Sequence, residues 1–498
     1  MLKILKSAAV NSLIYGFGNL STKIVGLILI PIYTQHLSVA DYGILGLLEV
    51  TSYAVFVLFG YQLFYALFRW YWDAEYKDKQ KSMFFTVMVF LTVSSLLVCI
   101  VLCFYADYLS MMLFGKSDYQ FLIQLMIVSS VFQIVAYNPG ILMRLQEKSF
   151  IYIITNTLQL VTSLSLTVVF IVYMELGVAG IYEAQIIGWI VYLLLSSRFI
   201  IKNIETKFDR SLLFEMLKFS APTILAGVSS IVLGLADRYY LNFSKGLDTT
   251  GLYTFGYRIA NTVNVLIAAS INLAITPIVY KMINDKNNKR FYSKVMTYTI
   301  YIVSFFSIAF SVFGKEIVKV LARNPDYWLS YTIIPMICIG IVFRTMRDNV
   351  MNGLNIVKKT KVITFVLVVS SIVNILVIYL LVPRYGYYGA ANAFLVTHLL
   401  TYFMMLYFAQ KHYPIEFEYK KTALIIVVST ILIIVALLCN DFHIVLRLTV
   451  KTLLVASFPF ILYLFNFYEP VEIDRIEGLW NKWKNPFHWM NNIKTLNS

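Results

Sequence analysis

In LSVADYGILGLLEV (37–50), a short polar turn gives way at Gly43 to an apolar run. The same change occurs in KGLDTTGLYTFGYRIA (245–260), where the run opens at Gly251. The offset between positions 43 and 251 is 208. Each stretch follows one apolar span and opens the next, and both preceding spans start on the same side. The two halves of the chain therefore run parallel, as in transporters built from two six-helix bundles around a central cavity.

The rest of the sequence fits that frame. The chain has 498 residues, of which 59% are hydrophobic and 13% charged, whereas a soluble domain carries about 25% charged residues. Lipid offers no partner to a bare N–H or C=O, so long apolar runs must be helices. Val362–Val382 and Thr422–Leu438 are continuous and long enough for one helical crossing. A transmembrane barrel would need short alternating strands instead. The expected fold is an all-α polytopic membrane protein with about 14 spans. They fall near 9–34, 43–68, 82–105, 119–143, 149–173, 178–200, 213–241, 252–280, 292–314, 327–352, 362–383, 388–410, 422–440 and 446–468. They group into an N-terminal six-helix lobe (1–201), a cytoplasmic linker (202–212) and a C-terminal six-helix lobe (213–410). Two additional helices (411–468) and an amphipathic tail (469–498) follow.

The net charge is +15, but its placement argues against nucleic acid. Of the 41 lysines and arginines, 27 lie on the side that holds both termini and 6 on the other. That bias puts both termini in the cytoplasm. The four cysteines lie in apolar spans or at their ends and form no metal or redox framework. The first span is too long for a cleavable signal peptide. In the tail WNKWKNPFHWM (480–490), Trp480, Trp483 and Trp489 among lysines suit a membrane-interface anchor.

The stretches KIVGLILIPIYTQHLSVADYGILGLLEV (23–50) and ADRYYLNFSKGLDTTGLYTFGYRIANTV (236–263) resemble the Wzx-type polysaccharide flippases, which move O-antigen or capsule repeat units. These belong with the MATE exporters and the lipid II flippases in one superfamily. The resemblance runs from about Asn11 to Tyr468. It implies two six-helix lobes plus two C-terminal helices in a bacterial inner membrane. It also implies movement of an undecaprenyl-diphosphate-linked oligosaccharide to the outer leaflet. The implied partners are that glycan lipid, membrane lipids and a polysaccharide polymerase.

Such a cargo needs a wet, cationic path for its diphosphate through about 30 Å of hydrocarbon. Ionisable residues within spans usually face such an interior. The candidates here are Lys23, Glu49, Glu183, Asp237, Arg238, Arg258, Arg344, Arg347 and Asp348. A lysine at mid-span costs about 2.5–3.5 kcal/mol on insertion scales. Lys23 is therefore expected to be a cavity cation for the diphosphate, against a purely structural ion pair. In lipid II flippases, basic residues of helices 1 and 8 line the cavity, and Lys23 and Arg258 lie on those helices by count and depth. Arg344 and Arg347, with Asp348 at spacings of three and four, meet the diphosphate at entry or snorkel at the interface. Glu49 and Arg258 share a depth in opposite lobes, so they either close an outer gate or pair locally, Arg258 with Asp237. Asp237, Arg238 and Asp348 join Glu49 as gating or ion-coupling candidates.

Prolines 139, 222, 277, 335 and 459 fall inside spans and can bend them. Asn19, Asn261, Asn264, Asn272, Asn374 and Asn392 wet the cavity or bond helix to helix. His398 is expected to be a packing residue, with a proton-carrying role as the alternative. The sequence has no phosphate-binding glycine loop, so no cofactor is expected and energy would come from an H+ or Na+ gradient or from the cargo gradient. A MATE-like exporter of cationic drugs would favour an acidic lumen, whereas these charges lean basic. A membrane-embedded glycan polymerase or ligase would carry a large outer loop, and the longest connection on that side is 106–118.

Overall fold

The computed structural model describes residues 29–283, 285 and 287–474. Lys23, Asn19 and the tail tryptophans Trp480, Trp483 and Trp489 lie outside the described residues. Among those described, every regular element is helical. Thirteen helical stretches are long and apolar enough to cross a membrane. They match the second to fourteenth expected spans.

In chain order the helices are α1 (Ile30–His36), α2 (Val39–Phe59), α3 (Leu63–Trp70), α4 (Gln80–Phe104), α5 (Ala106–Phe114) and α6 (Gln120–Leu145). Next come α7 (Ser149–Val168), α8 (Gly177–Asn203), α9 (Arg210–Lys245), α10 (Leu247–Thr262), α11 (Ala269–Lys281) and α12 (Asn288–Val312). The last six are α13 (Gly314–Leu321), α14 (Ile334–Ile356), α15 (Thr360–Tyr385), α16 (Tyr387–His412), α17 (Tyr419–Leu438) and α18 (Ile444–Leu464).

Local chemistry sets several boundaries. The Asp41 N–H donates to Ser38 Oγ at 3.1 Å, and the Ser38 N–H donates to Asp41 Oδ2 at 3.1 Å. This capping box satisfies two donors that the first turn of α2 leaves open. Asp209 caps α9 by accepting from the Leu212 N–H at 3.0 Å. Between α9 and α10, Gly246 adopts φ +85°, a region open to glycine and strained for other residues.

One expectation needs correction and two gain detail. The second span was expected at 43–68, but its helix stops at Phe59 and α3 restarts at Leu63. Tyr61 and Gln62 take φ of 50° and 51° there. The apolar run VLFGYQLFYALF (57–68) is interrupted only by Gly60, Tyr61 and Gln62 at the break itself, too short a dip to end a span read by average hydropathy. Pro335 lies inside the Pro325–Ile356 span as expected, but in the first turn of α14, where its missing N–H costs no hydrogen bond. The 106–118 connection folds into α5 and the start of a short 3-10 turn (117–119).

Helices α14, α2 and α12 are the most buried of the spans, and α4, α7 and α18 the least. The large exposed side chains Phe104, Phe243 and Leu464 suit contact with lipid. Helices α2 and α10 cross closely where the two repeated stretches begin. A Cβ on Gly43 would collide with the Leu247 carbonyl oxygen, and one on Gly251 with the Val39 carbonyl oxygen. Residues 39 and 247 are themselves 208 apart, so the two collisions are mirror images under the repeat. Glycine is required at both places because backbone meets backbone.

Helices α17 and α18 pack on α12 and are pinned to it and its extension at both ends. At one end, Lys451 Nζ reaches Glu316 Oε2 at 2.8 Å and Asn440 Oδ1 at 2.7 Å, while Arg447 Nε lies 2.7 Å from Glu316 Oε1. Lys451 is fully buried. At the other end, Lys294 Nζ pairs with Glu418 at 2.8 Å and also with Glu469. Thr297 Oγ1 donates to Glu418 Oε2 at 2.7 Å. Burial pushes the Glu418 carboxyl up, but hydrogen bonds from Lys294 and Thr297 and the nearby lysine charges hold it below its ordinary value. The bond from Lys294 is the main cause that lowers Glu469 too.

Candidate functional site

Helices α2, α9, α10, α14 and α16 surround a cavity of about 620 Å³. Helix α2 contributes Glu49 and Tyr53, α9 contributes Arg238, and α10 contributes Tyr257, Arg258 and Asn261. Asn264 follows in a π-helical turn (263–268). Arg344 and Arg347 enter from α14, and His398 from α16. Among the described residues, four arginines thus face one carboxylate.

The arginines are not equivalent. Arg258 Nη2 lies 2.5 Å from both carboxylate oxygens of Glu49, and its Nη1 donates to Tyr42 Oη at 3.0 Å. Tyr42 and Glu49 stand two turns apart on one face of α2, so a single side chain of α10 is tied twice to α2. Arg347 pairs with its neighbour Asp348 at 2.6 Å. Arg238 stacks over the Tyr257 ring at 4.6 Å. Among the described residues, the Nε atoms of Arg238 and Arg344 and both ring nitrogens of His398 are buried without a hydrogen-bond partner. A buried N–H without an acceptor is costly, so this end of the cavity favours a ligand that accepts hydrogen bonds.

The structure brings Glu49, Arg238, Arg258, Arg344 and Arg347 to one cavity. Asp348 is on the same helix but turns to Arg347 and is not part of the lining. Arg258 pairs with Glu49 rather than with Asp237. The Asp237 carboxylate instead accepts from the Tyr253 hydroxyl and from the Arg238 N–H, and the residue is 5% exposed. Glu183 does not line the cavity. Arg344 and Arg347 face the cavity rather than snorkelling, and the Arg347 side chain is 11% exposed.

The asparagines divide only in part as expected, since Asn392 Nδ2 donates to the Tyr388 carbonyl of its own helix at 3.0 Å. Asn264 Nδ2 donates to Asn261 Oδ1 at 3.1 Å in the cavity wall, while Asn374 bonds Thr397 between helices at 3.0 Å. Tyr257 and Tyr53 were missed by sequence reading. The repeat held a signal for the first, because position 49 maps to 257. Lys451 was missed as well, since nothing local distinguishes it from an interfacial lysine.

A family model described as "Polysaccharide biosynthesis protein" matches residues 8–283. The chain belongs to this polysaccharide biosynthesis family. A second model, MatE, matches residues 222–380, within the half where the cavity arginines concentrate. An uncharacterized membrane protein of Methanocaldococcus jannaschii is 25% identical over 47% of this family member and 46% of its own length. The Lsg locus putative protein 1 of Haemophilus influenzae is 25% identical over 55% of this chain and 67% of its own. The match therefore spans less than half the length of the first relative. A structure of the lipid II flippase MurJ in an inward closed conformation superposes with a TM-score of 0.73. It covers 92% of this chain and 100% of its own at 15% identity. That likeness establishes a MurJ-like all-α membrane fold for this member of the polysaccharide biosynthesis family.

Proposed function

We propose that the protein is a flippase that carries undecaprenyl-diphosphate-linked oligosaccharide repeat units across a bacterial inner membrane by alternating access. The observation that carries this reading is the cavity: four arginines face one glutamate, and two of the four keep a buried Nε without a partner. Guanidinium groups suit the planar, multidentate recognition of phosphate oxygens. A cationic drug would meet repulsion in the same space, and a metal or cofactor is not needed.

In this reading both termini are cytoplasmic, so the close crossing of α2 and α10 at Gly43 and Gly251 lies at the outer face. The Glu49–Arg258 pair beneath it is the latch of that seal between two rocking lobes. Arg344 and Arg238 hold the diphosphate, and Lys23 extends the cationic path along the first span. Coupling to H+ or Na+ would use Asp237, the buried carboxylate of α9. A polysaccharide polymerase would take the product on the far side.

The test is deletion of the gene followed by analysis of lipid-linked glycans. Accumulation of the complete repeat unit on the cytoplasmic leaflet is expected, and complementation should require Arg344. Single unpolymerised repeats reaching the surface would refute the reading in favour of a polymerase.

A further inference from the structure

We propose that the crevice between α2, α5, α9, the start of α10 and α15 is a berth for the isoprenoid tail of the cargo in the outer leaflet. This inference rests on the flippase reading above. The crevice holds about 1240 Å³, twice the cavity. Met112 and Phe114 of α5, Tyr239 and Phe243 of α9, and Leu376 and Tyr379 of α15 line it. Among its described lining residues only Lys116 and Asp248 carry a charge, and both sit where helices end or begin.

Two observations tie this space to the cavity rather than to lipid in general. First, the two share a wall. On α2, Val50 faces the cavity and Thr51 the crevice. On α9, Gly234 and Arg238 face the cavity, while Ala236 and Tyr239 face the crevice. The wall is held by one hydrogen bond between the Thr51 and Tyr239 hydroxyls at 2.9 Å. Second, the chemistries divide as the cargo does. One side of the wall offers guanidinium groups to an anion, and the other offers methionine and aromatic surface to a chain.

An isoprenoid carries methyl branches and rigid double bonds. Methionine adapts to such an irregular outline, and aromatic rings supply broad apolar contact. Transfer from lipid gains little, because lipid tails are as apolar as leucine. Selectivity must come from shape. The walls also belong to both sides of the α2–α10 crossing, so the crevice changes shape as that crossing opens. The headgroup would pass sideways through the Thr51–Tyr239 wall while the tail is already lodged outside it.

The experiment uses the full chain in phosphatidylglycerol–phosphatidylethanolamine vesicles. The probe is undecaprenyl diphosphate bearing a photoreactive group near the tail end. Adducts are expected on α5 and α15, suppressed by excess unlabelled undecaprenyl diphosphate and insensitive to added phosphatidylglycerol. Leu376→Trp, which narrows the crevice from an exposed position, should cut adduct yield and glycan transport by about fivefold or more. Phe460→Trp, on the exposed face of α18, should change neither. Equal suppression by phosphatidylglycerol would make the crevice an ordinary lipid site and overturn the inference. So would wild-type adducts spread over α18, or normal transport by a well-inserted Leu376→Trp protein. A wild-type chain that moves no lipid-linked glycan would overturn the flippase reading, and this inference with it.

Discussion

Reversing charge at the Glu49–Arg258 pair gives the sharpest test of the seal. At about 4 Å between charge centres and an effective dielectric constant near 20, the attraction is about 4 kcal/mol. Water takes back much of it. The Arg258 side chain is 22% exposed and that of Glu49 45%, and fully exposed pairs retain only about 0.2–1 kcal/mol. The second tie to Tyr42 limits the freedom of the guanidinium, which lowers the entropy lost on pairing. We expect a net coupling of about 1–2 kcal/mol, a factor of about 5–30 in the closed-to-open ratio. Spin labels at Lys116→Cys and Lys245→Cys, both exposed and at the same end, would report that ratio as two distance populations by pulsed electron resonance. Glu49→Arg and Arg258→Glu should each shift the population towards the longer distance. The double swap should recover part of the closed state. If the two effects simply add, within about 0.5 kcal/mol, the pair is not the latch.

Three further outcomes follow from the geometry. Gly251→Ala should force α2 and α10 apart at Val39, costing about 1–3 kcal/mol, visible as a lower midpoint of thermal unfolding in detergent; an unchanged midpoint would mean the crossing is looser than described. Arg344→Gln should abolish glycan export with membrane abundance intact, and Lys23→Ala should do the same while Lys23→Arg keeps part of the activity. Normal export in a well-expressed variant of either removes that residue from the mechanism. The third concerns pH. Glu418 and Glu469 sit below their ordinary values, so their contribution to docking α17 and α18 is complete above the unfolded value of about 4.3. It is lost as pH falls through the lowered folded values. Hydrogen exchange around 413–418 should accelerate on that acid side in the wild type. In Lys294→Gln it should already be fast at neutral pH, and protection there equal to wild type would refute the assignment.

The spans were legible because a continuous apolar run has one use in a membrane. The crossing of α2 and α10 was legible in part, through Gly43 and Gly251, since the repeat kept both glycines where backbones touch. The break at 60–62 was passed over, because Gly60, Tyr61 and Gln62 are too short an interruption between two apolar runs to end a span read by average hydropathy. The cationic character of the cavity could be read from charges placed in spans. Which arginine is already satisfied could not, because Arg258 had two acceptable carboxylates and only the tertiary packing chooses Glu49. The same holds for Asp237, whose partner Tyr253 looks like any other tyrosine in the sequence. The crevice was invisible for a related reason: its lining comes from five helices that share no local pattern.

The C-terminal pair is anchored to α12 and its extension near both membrane faces, by Glu316 with Lys451 at one end and Lys294 with Glu418 at the other. A beam fixed at both ends cannot tilt without dragging its support. Helix α12 is largely enclosed by its neighbours, and a label placed on it would disturb that packing. Helix α18 presents exposed positions to lipid along the same body. A fluorophore on α18 would therefore record the motion of α12 from outside, which makes one of the least buried spans a handle on one of the most buried.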